Sequence, residues 1–327
     1  MLEKIINNKV KIIAFLIFVI APSLLSKDDF YAGILFQTLL WAGMSGTWNL
    51  LGGYAGQFSL GHAAFFGIGA YTSSLLASGL HLTPWLGMLA GASLSAMVGV
   101  ILGAICFRLR GHFFSLATLA FGQIVYIIAL SWRSVTNGSE GVLIMSSPGW
   151  SEMAFNSKMA YVYLALIYML IVVGVSFYLD RSRLGYFLVA YRENDEAARA
   201  IGVNTFLARV IVSGISAFLM AAGGTLYAQY MYYIDPDSVL SIALSVQAPL
   251  IAIVGGLGGA LGPVFGSFLI LPMTQMLRAW LGTSFSGLHL IIYGVILIVV
   301  LLLIPEGIFP KLTEYLKKRT EKENSKC

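Results

Sequence analysis

The sequence predicts an all-α, polytopic transmembrane bundle of about ten spans (eight to ten), with the N- and C-termini both cytoplasmic. Three observations predict it. The 327 residues are 58% hydrophobic and only 11% charged, with a mean hydropathy of +0.84. Soluble domains carry about 25% charged residues, so this much apolar surface has to face lipid. Residues 30–107 contain no Asp, Glu, Lys or Arg. A spanning helix needs about 20 apolar residues, so that run alone holds roughly three or four spans. The third observation is the placement of the positive charge, which fixes the orientation.

Breaks in hydrophobicity place the spans near 10–26, 31–50, 58–79, 84–107, 112–132, 160–180, 206–229, 240–256, 263–281 and 287–305. The first follows a basic start, MLEKIINNKVK, as a secretory signal does. The segment APSLLSKDD after it has no small-x-small cleavage site, and the expectation is an uncleaved helix. With the N-terminus inside, segments 1–11, 108–111, 181–209 and 306–327 are cytoplasmic and hold 16 of the chain's 20 Lys and Arg. The remaining four, Lys27, Arg133, Lys158 and Arg278, fall at outer positions. That asymmetry obeys the positive-inside rule and accounts for the net charge of +5 without a nucleic-acid partner. The chain therefore divides into a transmembrane domain, 1–305, and a charged cytoplasmic tail, 306–327. Residues 133–159, rich in Ser, Gly and Asn, form an extracytoplasmic loop, and 181–209 is the long cytoplasmic one.

Several chemistries are missing from the pattern. There is no Gly-Lys pair, hence no phosphate-binding loop of the GxxxxGK[ST] kind. His62, His81, His112 and His289 lack metal-ligand spacing, and Cys106 and Cys327 read as free thiols. No nucleophile elbow or paired carboxylates support catalysis, and no cofactor or metal is expected. The carboxylates lie in loops, at span ends or in the tails, so no intramembrane proton relay is expected. Uphill movement of a solute would draw its energy from another subunit.

Two glycine-rich runs interrupt the apolar pattern. Residues 52–70, GGYAGQFSLGHAAFFGIGA, carry Gly52, Gly53, Gly56, Gly61 and Gly67 together with Gln57, Ser59 and His62. Residues 255–263, GGLGGALGP, carry Gly255, Gly256, Gly258, Gly259 and Gly262. The glycines allow close helix packing. Broken backbone at membrane depth is tolerated only where protein or water satisfies it, so Gln57, Ser59 and His62 are also candidates for lining a passage. Paired interruptions in two halves of a chain mark a central pathway built from repeats. In the cytoplasmic loop, Asn194 or Asp195 can cap a short helix, Glu196 lies in its positive first turn, and Gly202 stops it. Ala197, Ala198, Ala200 and Ile201 give that helix a compact apolar patch, suited either to docking in a groove or to a plain connection.

The segment EAARAIGVN resembles the cytoplasmic loop by which ABC importer permeases dock onto their ATPases. GGYAGQFSLGHAAFFGIGAYTSSLL, RLRGHFFSLATLAFGQIV, SRLGYFLVAYRENDEAARAIGVN, AFLMAAGGTLYA, IVGGLGGALGPVFGSFLI and LLIPEGIF together resemble the branched-chain amino acid ABC permease family in its LivM-type subunit. The likeness runs over about residues 30–310 and keeps the family's order. One departure stands at Gly111-His112-Phe113-Phe114, where the family usually has an acidic residue and then a tyrosine after the glycine. The resemblance implies a multi-pass permease of the bacterial cytoplasmic (inner) membrane. It also implies a homologous second permease subunit, two cytoplasmic ABC ATPase subunits and a periplasmic or extracellular solute-binding protein. Substrates in the family are leucine, isoleucine and valine, with relatives for urea and short amides. Glu196, Ala197, Ala198, Ile201 and Gly202 would then form the ATPase-coupling element. A passive channel for a small neutral solute and a non-transporting scaffold remain as other readings of the residues alone.

Overall fold

The computed structural model describes residues 28–109, 111–144 and 147–281, together with 294, 295, 298, 302 and 307–311. The predicted first span, most of the tenth and most of the charged tail lie outside these residues. Spans two to nine of the sequence reading each fall on one long helix. These are α1 (Asp29–Asn49), α2 (His62–Leu80), α3 (Pro84–Cys106), α4 (His112–Ser131), α6 (Lys158–Arg181), α9 (Thr205–Met231), α11 (Ile242–Gly255) and α12 (Gly262–Leu281). Shorter helices are α5 (Arg133–Thr136), α7 (Arg183–Glu193), α8 (Asp195–Ala200) and α10 (Pro236–Val239). Among the described residues, six segments, α2, α3, α4, α6, α9 and the joined Pro236–Gly255, are long and apolar enough to cross a membrane.

Local chemistry sets the helix ends. Pro84 opens α3 at a position where its missing N–H costs nothing. Side chains of Ser157, Ser182, Asn194, Asn204 and Ser241 accept from free backbone N–H groups at the starts of α6, α7, α8, α9 and α11. Asp235 and Ser238 form a reciprocal capping box on α10.

The helices alternate in direction, so the bundle has two distinct ends. At one, Val142–Leu143 pairs antiparallel with Tyr233–Ile234, Tyr126 Oη donates to Asp237 Oδ1 at 2.8 Å, and Trp85 Nε1 donates to the Trp150 carbonyl at 2.8 Å. At the other lie α7, α8 and both glycine-rich breaks. Helix α9 runs through the centre, against α1, α2 and α3. Its closest approach to α2 needs glycine on both sides: a Cβ at Gly69 would sit 2.1 Å from the Ala221 carbonyl oxygen, and one at Gly224 2.0 Å from that of Phe66. Helix α1 is tied to α11 and α12 by Ser45 Oγ donating to the Ala248 carbonyl at 2.9 Å and Ser267 Oγ donating to the Thr38 carbonyl at 2.6 Å.

Helices α3 and α4 are peripheral. Leu86, Met97, Ile101 and Ile105 on α3, and Phe113, Leu116, Ile124 and Ile127 on α4, are all more than half exposed. Soluble proteins rarely expose apolar stripes of this extent; in a bilayer such residues meet acyl chains.

Candidate functional site

The first glycine run breaks the chain sharply. After α1 the backbone widens into a π-helical turn, Leu50–Tyr54, and then leaves helix altogether until α2. Gly56 takes φ +63°, a left-handed conformation that favours glycine. Helix α2 begins at His62 rather than near residue 58 because the intervening backbone is bonded elsewhere. Trp48 Nε1 donates to the Ser59 carbonyl at 2.7 Å, Ser115 Oγ to the Phe58 carbonyl at 2.5 Å, and the Leu60 N–H to Thr118 Oγ1 at 3.0 Å.

His62 is fully buried at this junction. Its Nδ1 lies 3.0 Å from Ser59 Oγ and its Nε2 2.9 Å from Ser216 Oγ. Ser216 commits its one hydroxyl proton to the Thr47 carbonyl at 2.7 Å. Nε2 must therefore be the donor to Ser216, and in the neutral ring Nδ1 accepts from Ser59. The imidazole joins α1, α2 and α9 at one point. Of the three polar residues marked in the sequence, Ser59 and His62 are inside this packing. Gln57 is half-buried and donates from Nε2 to Tyr191 Oη at 2.6 Å.

The second run, between α11 and α12, lies directly against the first. Asn49 is the fastener. Its Nδ2 donates to the Gly259 carbonyl at 3.1 Å, and its Oδ1 accepts from the Gly258 N–H at 3.1 Å. Asn49 is completely buried, and among the described residues these two bonds satisfy its side-chain amide. A Cβ at Gly53 would stand 2.0 Å from Asn49 Oδ1 and 2.6 Å from the Gly258 nitrogen. The two interruptions, about 200 residues apart in sequence, thus form one knot.

Helix α7 clamps that knot. Arg192 Nη1 donates to the Gly53 carbonyl at 2.9 Å. A Cβ at Gly56 would lie 2.9 Å from Arg192 Cγ, so the arginine stem fits only over glycine. Beside it, Tyr191 Oη accepts from both Gln57 and Arg209, the latter at 3.1 Å. Arg209 is 2% exposed. Its guanidinium stacks 4.1 Å from the centre of the Tyr191 ring and 5.0 Å from that of Phe107, and it donates to the Phe107 and Thr205 carbonyls.

Helix α8 follows at once. Asn194 caps it, accepting from the Ala197 N–H at 3.0 Å. Asp195 pairs with Arg199 at 2.8 Å and accepts from Thr205 Oγ1 at 2.8 Å, which locks α8 to the start of α9. The single apolar patch expected from the sequence is divided. Ala198 is 3% exposed and faces inward, whereas Ile201 is 79% exposed. In a helix of six residues, neighbours one apart point about 100° away from each other, so Ala197 and Ala198 cannot share a face. The outward surface is Glu196, Ala197, Ala200, Ile201 and Gly202, with Gly202 at φ +85°.

Asn49, Tyr191, Arg192 and Arg209 are the residues that sequence reading passed over. Asn49 and Arg209 did leave a signal: each is a strongly polar group inside or beside an apolar span, where such groups are retained for a function. Arg192 left none, because a cytoplasmic arginine already had a topological reason to be there.

A multi-pass helical bundle with lipid-facing apolar flanks, interrupted helices in its core and a polar loop helix docked at one end is a membrane protein of the permease class. The chain belongs to the family described as branched-chain amino acid transport system / permease component, which it matches over residues 30–301. It is similar to the high-affinity branched-chain amino acid transport system permease protein LivM of Salmonella typhimurium, at 25% identity over 96% of this chain and 78% of that one. The LivM of Escherichia coli is alike at 25% identity, covering 95% and 77%. Among solved structures, PsaBC from Streptococcus pneumoniae in complex with Fab covers 92% of this chain and 99% of its own at 14% identity, with a TM-score of 0.43.

Proposed function

We propose that this chain is the inner-membrane permease subunit of an ATP-driven, binding-protein-dependent ABC importer for branched-chain amino acids. Family membership and similarity to two LivM permeases support the class and the substrate. The observation that carries the coupling part is the continuous bonded path from α8, through Tyr191 and Arg192, to the joined glycine breaks. In this reading α7 and α8 face the cytoplasm and the β-ribbon end faces outward, as the distribution of Lys and Arg requires. A second, homologous permease completes the passage. Two ATPase subunits dock on Glu196, Ala197, Ile201 and Gly202 and on the equivalent loop of the partner permease, and a solute-binding protein delivers substrate to the outer end. ATP-driven closure of the ATPases pushes α8, and Arg192 carries that displacement to the ends of α1 and α11.

Ile201 is the most exposed apolar residue of the loop. Ile201→Arg is expected to reduce uptake at least tenfold, since burying an unpaired charge in an apolar groove costs several kcal/mol. Abundance of the chain in the membrane should stay normal, because Ile201 makes little contact within the chain. Uptake and co-purification of the ATPase at wild-type levels would remove α8 from the docking role. Ala198→Arg is the less informative variant, as its buried position makes it a folding lesion too.

A further inference from the structure

A cleft of about 280 Å³ opens at the end of the bundle away from α8, between α1, α11, α12 and the turn before α11. Ligand pockets run to about 300–1,000 Å³, so this one suits a single small molecule and not a peptide. Its polar lining includes Gln37, Gln247, Gln275 and Arg278, with the hydroxyl-bearing Tyr227, Ser238 and Ser241 also on the wall, and its apolar walls include Trp41 and Leu244. Among the described residues no Asp or Glu lines it.

Arg278 is the feature that the packing does not explain. It is the only Asp, Glu, Lys or Arg between Asp237 and Glu306 in the sequence. The ion pairs among the described residues join Lys158 to Asp29, Arg192 to Glu193 and Arg199 to Asp195, and none takes in Arg278. It lies three residues beyond Gln275 on α12, and positions three apart share a helix face. Gln275 Nε2 in turn donates to Gln37 Oε1, joining α12 to α1 at the cleft. A guanidinium whose planar fork makes no ion pair among the described residues, beside a pair of amides and an aliphatic and aromatic wall, matches one chemistry. The fork takes a carboxylate through two parallel N–H donors. Glutamine carbonyl oxygens accept from an ammonium group. Trp41 and Leu244 receive an aliphatic side chain.

We infer that this cleft binds the substrate amino acid as it arrives from outside, with Arg278 as the clamp on its carboxylate and the Gln37–Gln275 amide pair as the floor it must part. The inference rests on the importer reading above. It excludes cationic solutes, which Arg278 repels and no acid attracts. It also separates an amino acid from urea or a simple amide, which offer the arginine no charge.

The test uses the assembled transporter in proteoliposomes, with Cys327→Ser and Ala243→Cys placing a thiol on the cleft wall. Cys106 is buried. A membrane-impermeant thiol reagent is applied from the outer side. L-Leucine should slow labelling several-fold, while leucinamide and urea leave it unchanged. Arg278→Gln should abolish the protection and raise the KM for leucine about tenfold or more, the usual loss with a charge-assisted bond. Arg278→Lys should recover part of both. Wild-type leucine uptake with no protection at the cleft would overturn the inference and leave the importer reading standing, as would equal protection by leucinamide. Absence of leucine uptake in the wild type would remove the importer reading, and the cleft assignment with it. Lowered membrane abundance of Arg278→Gln with an unchanged KM would show a helix-end role for the arginine only, and would also overturn it.

Discussion

Arg192→Gln is expected to separate ATP hydrolysis from transport. Uptake should fall by about tenfold to a hundredfold, which corresponds to losing one charge-assisted hydrogen bond of about 1.5–3 kcal/mol. Hydrolysis by the assembled complex should persist, because α8 and its exposed face stay in place. The reason is geometric. Arg192 Nη1 reaches the Gly53 carbonyl at 2.9 Å, and the stem of the same side chain lies over Gly56. The first break is therefore held by the loop and not only by its own helix. Through Asn49 the same contact extends to Gly258 and Gly259 in the second break. Glutamine keeps much of the stem but gives up the charge and the length. Measuring phosphate release and labelled-substrate uptake on one preparation checks this directly. Both activities remaining at wild-type level would mean that Arg192 positions nothing that moves.

The second large effect concerns two glycines four residues apart. Gly255→Ala is expected to destabilise the bundle by about 3 kcal/mol or more, at or above the upper end of the usual overpacking cost. The added Cβ would sit 1.8 Å from the Gly262 carbonyl oxygen, and backbone on both sides of that contact cannot turn away as a side chain could. Gly259→Ala, in the same run, should change stability by less than about 0.5 kcal/mol, because a Cβ there meets nothing within 4 Å. Thermal unfolding of the two variants in detergent, with abundance in membranes as a second readout, distinguishes them. Equal melting temperatures would show that the α11–α12 junction is looser than its geometry indicates.

Sequence alone separates these glycines poorly. Gly255 and Gly259 belong to one low-complexity run, and their difference arises from what the chain brings against each. The spans, by contrast, are legible, since an uncharged run such as residues 30–107 has no alternative to lipid or a buried core. Legible too is the helix of the cytoplasmic loop, because its cap, its first-turn acids and its terminal glycine are all local signals. The start of α2 is displaced from residue 58 to His62 by bonds to Trp48, Ser115 and Thr118, which lie from 11 to 58 positions away. The knot is tertiary in the same sense: Asn49 and Gly259 are 210 positions apart, and Gln57 and Tyr191 are 134 apart. No periodicity announces such pairs. Ala198 shows the opposite failure, since composition groups it with Ala197 and Ile201 while helix geometry turns it inward.

The burial of Ser59 and His62 also bears on how a passage can form. Both are satisfied by neighbours, and an unsatisfied buried polar group costs about 1–3 kcal/mol, so exposing them would require the α1–α2 junction to open. Arg192 and Asn49 lie where such an opening would be transmitted. In the proposed mechanism, movement of the loop helix and rearrangement of the breaks would be one event.

The most direct measurement is accumulation of labelled L-leucine in proteoliposomes containing the complete complex, with and without ATP and the binding protein. Uptake should require both, should be competed by isoleucine and valine but not by urea, and should be lost on Arg192→Gln. Leucine flux through this chain alone, independent of ATP and untouched by Arg192→Gln, would contradict the assignment and make the protein a passive channel.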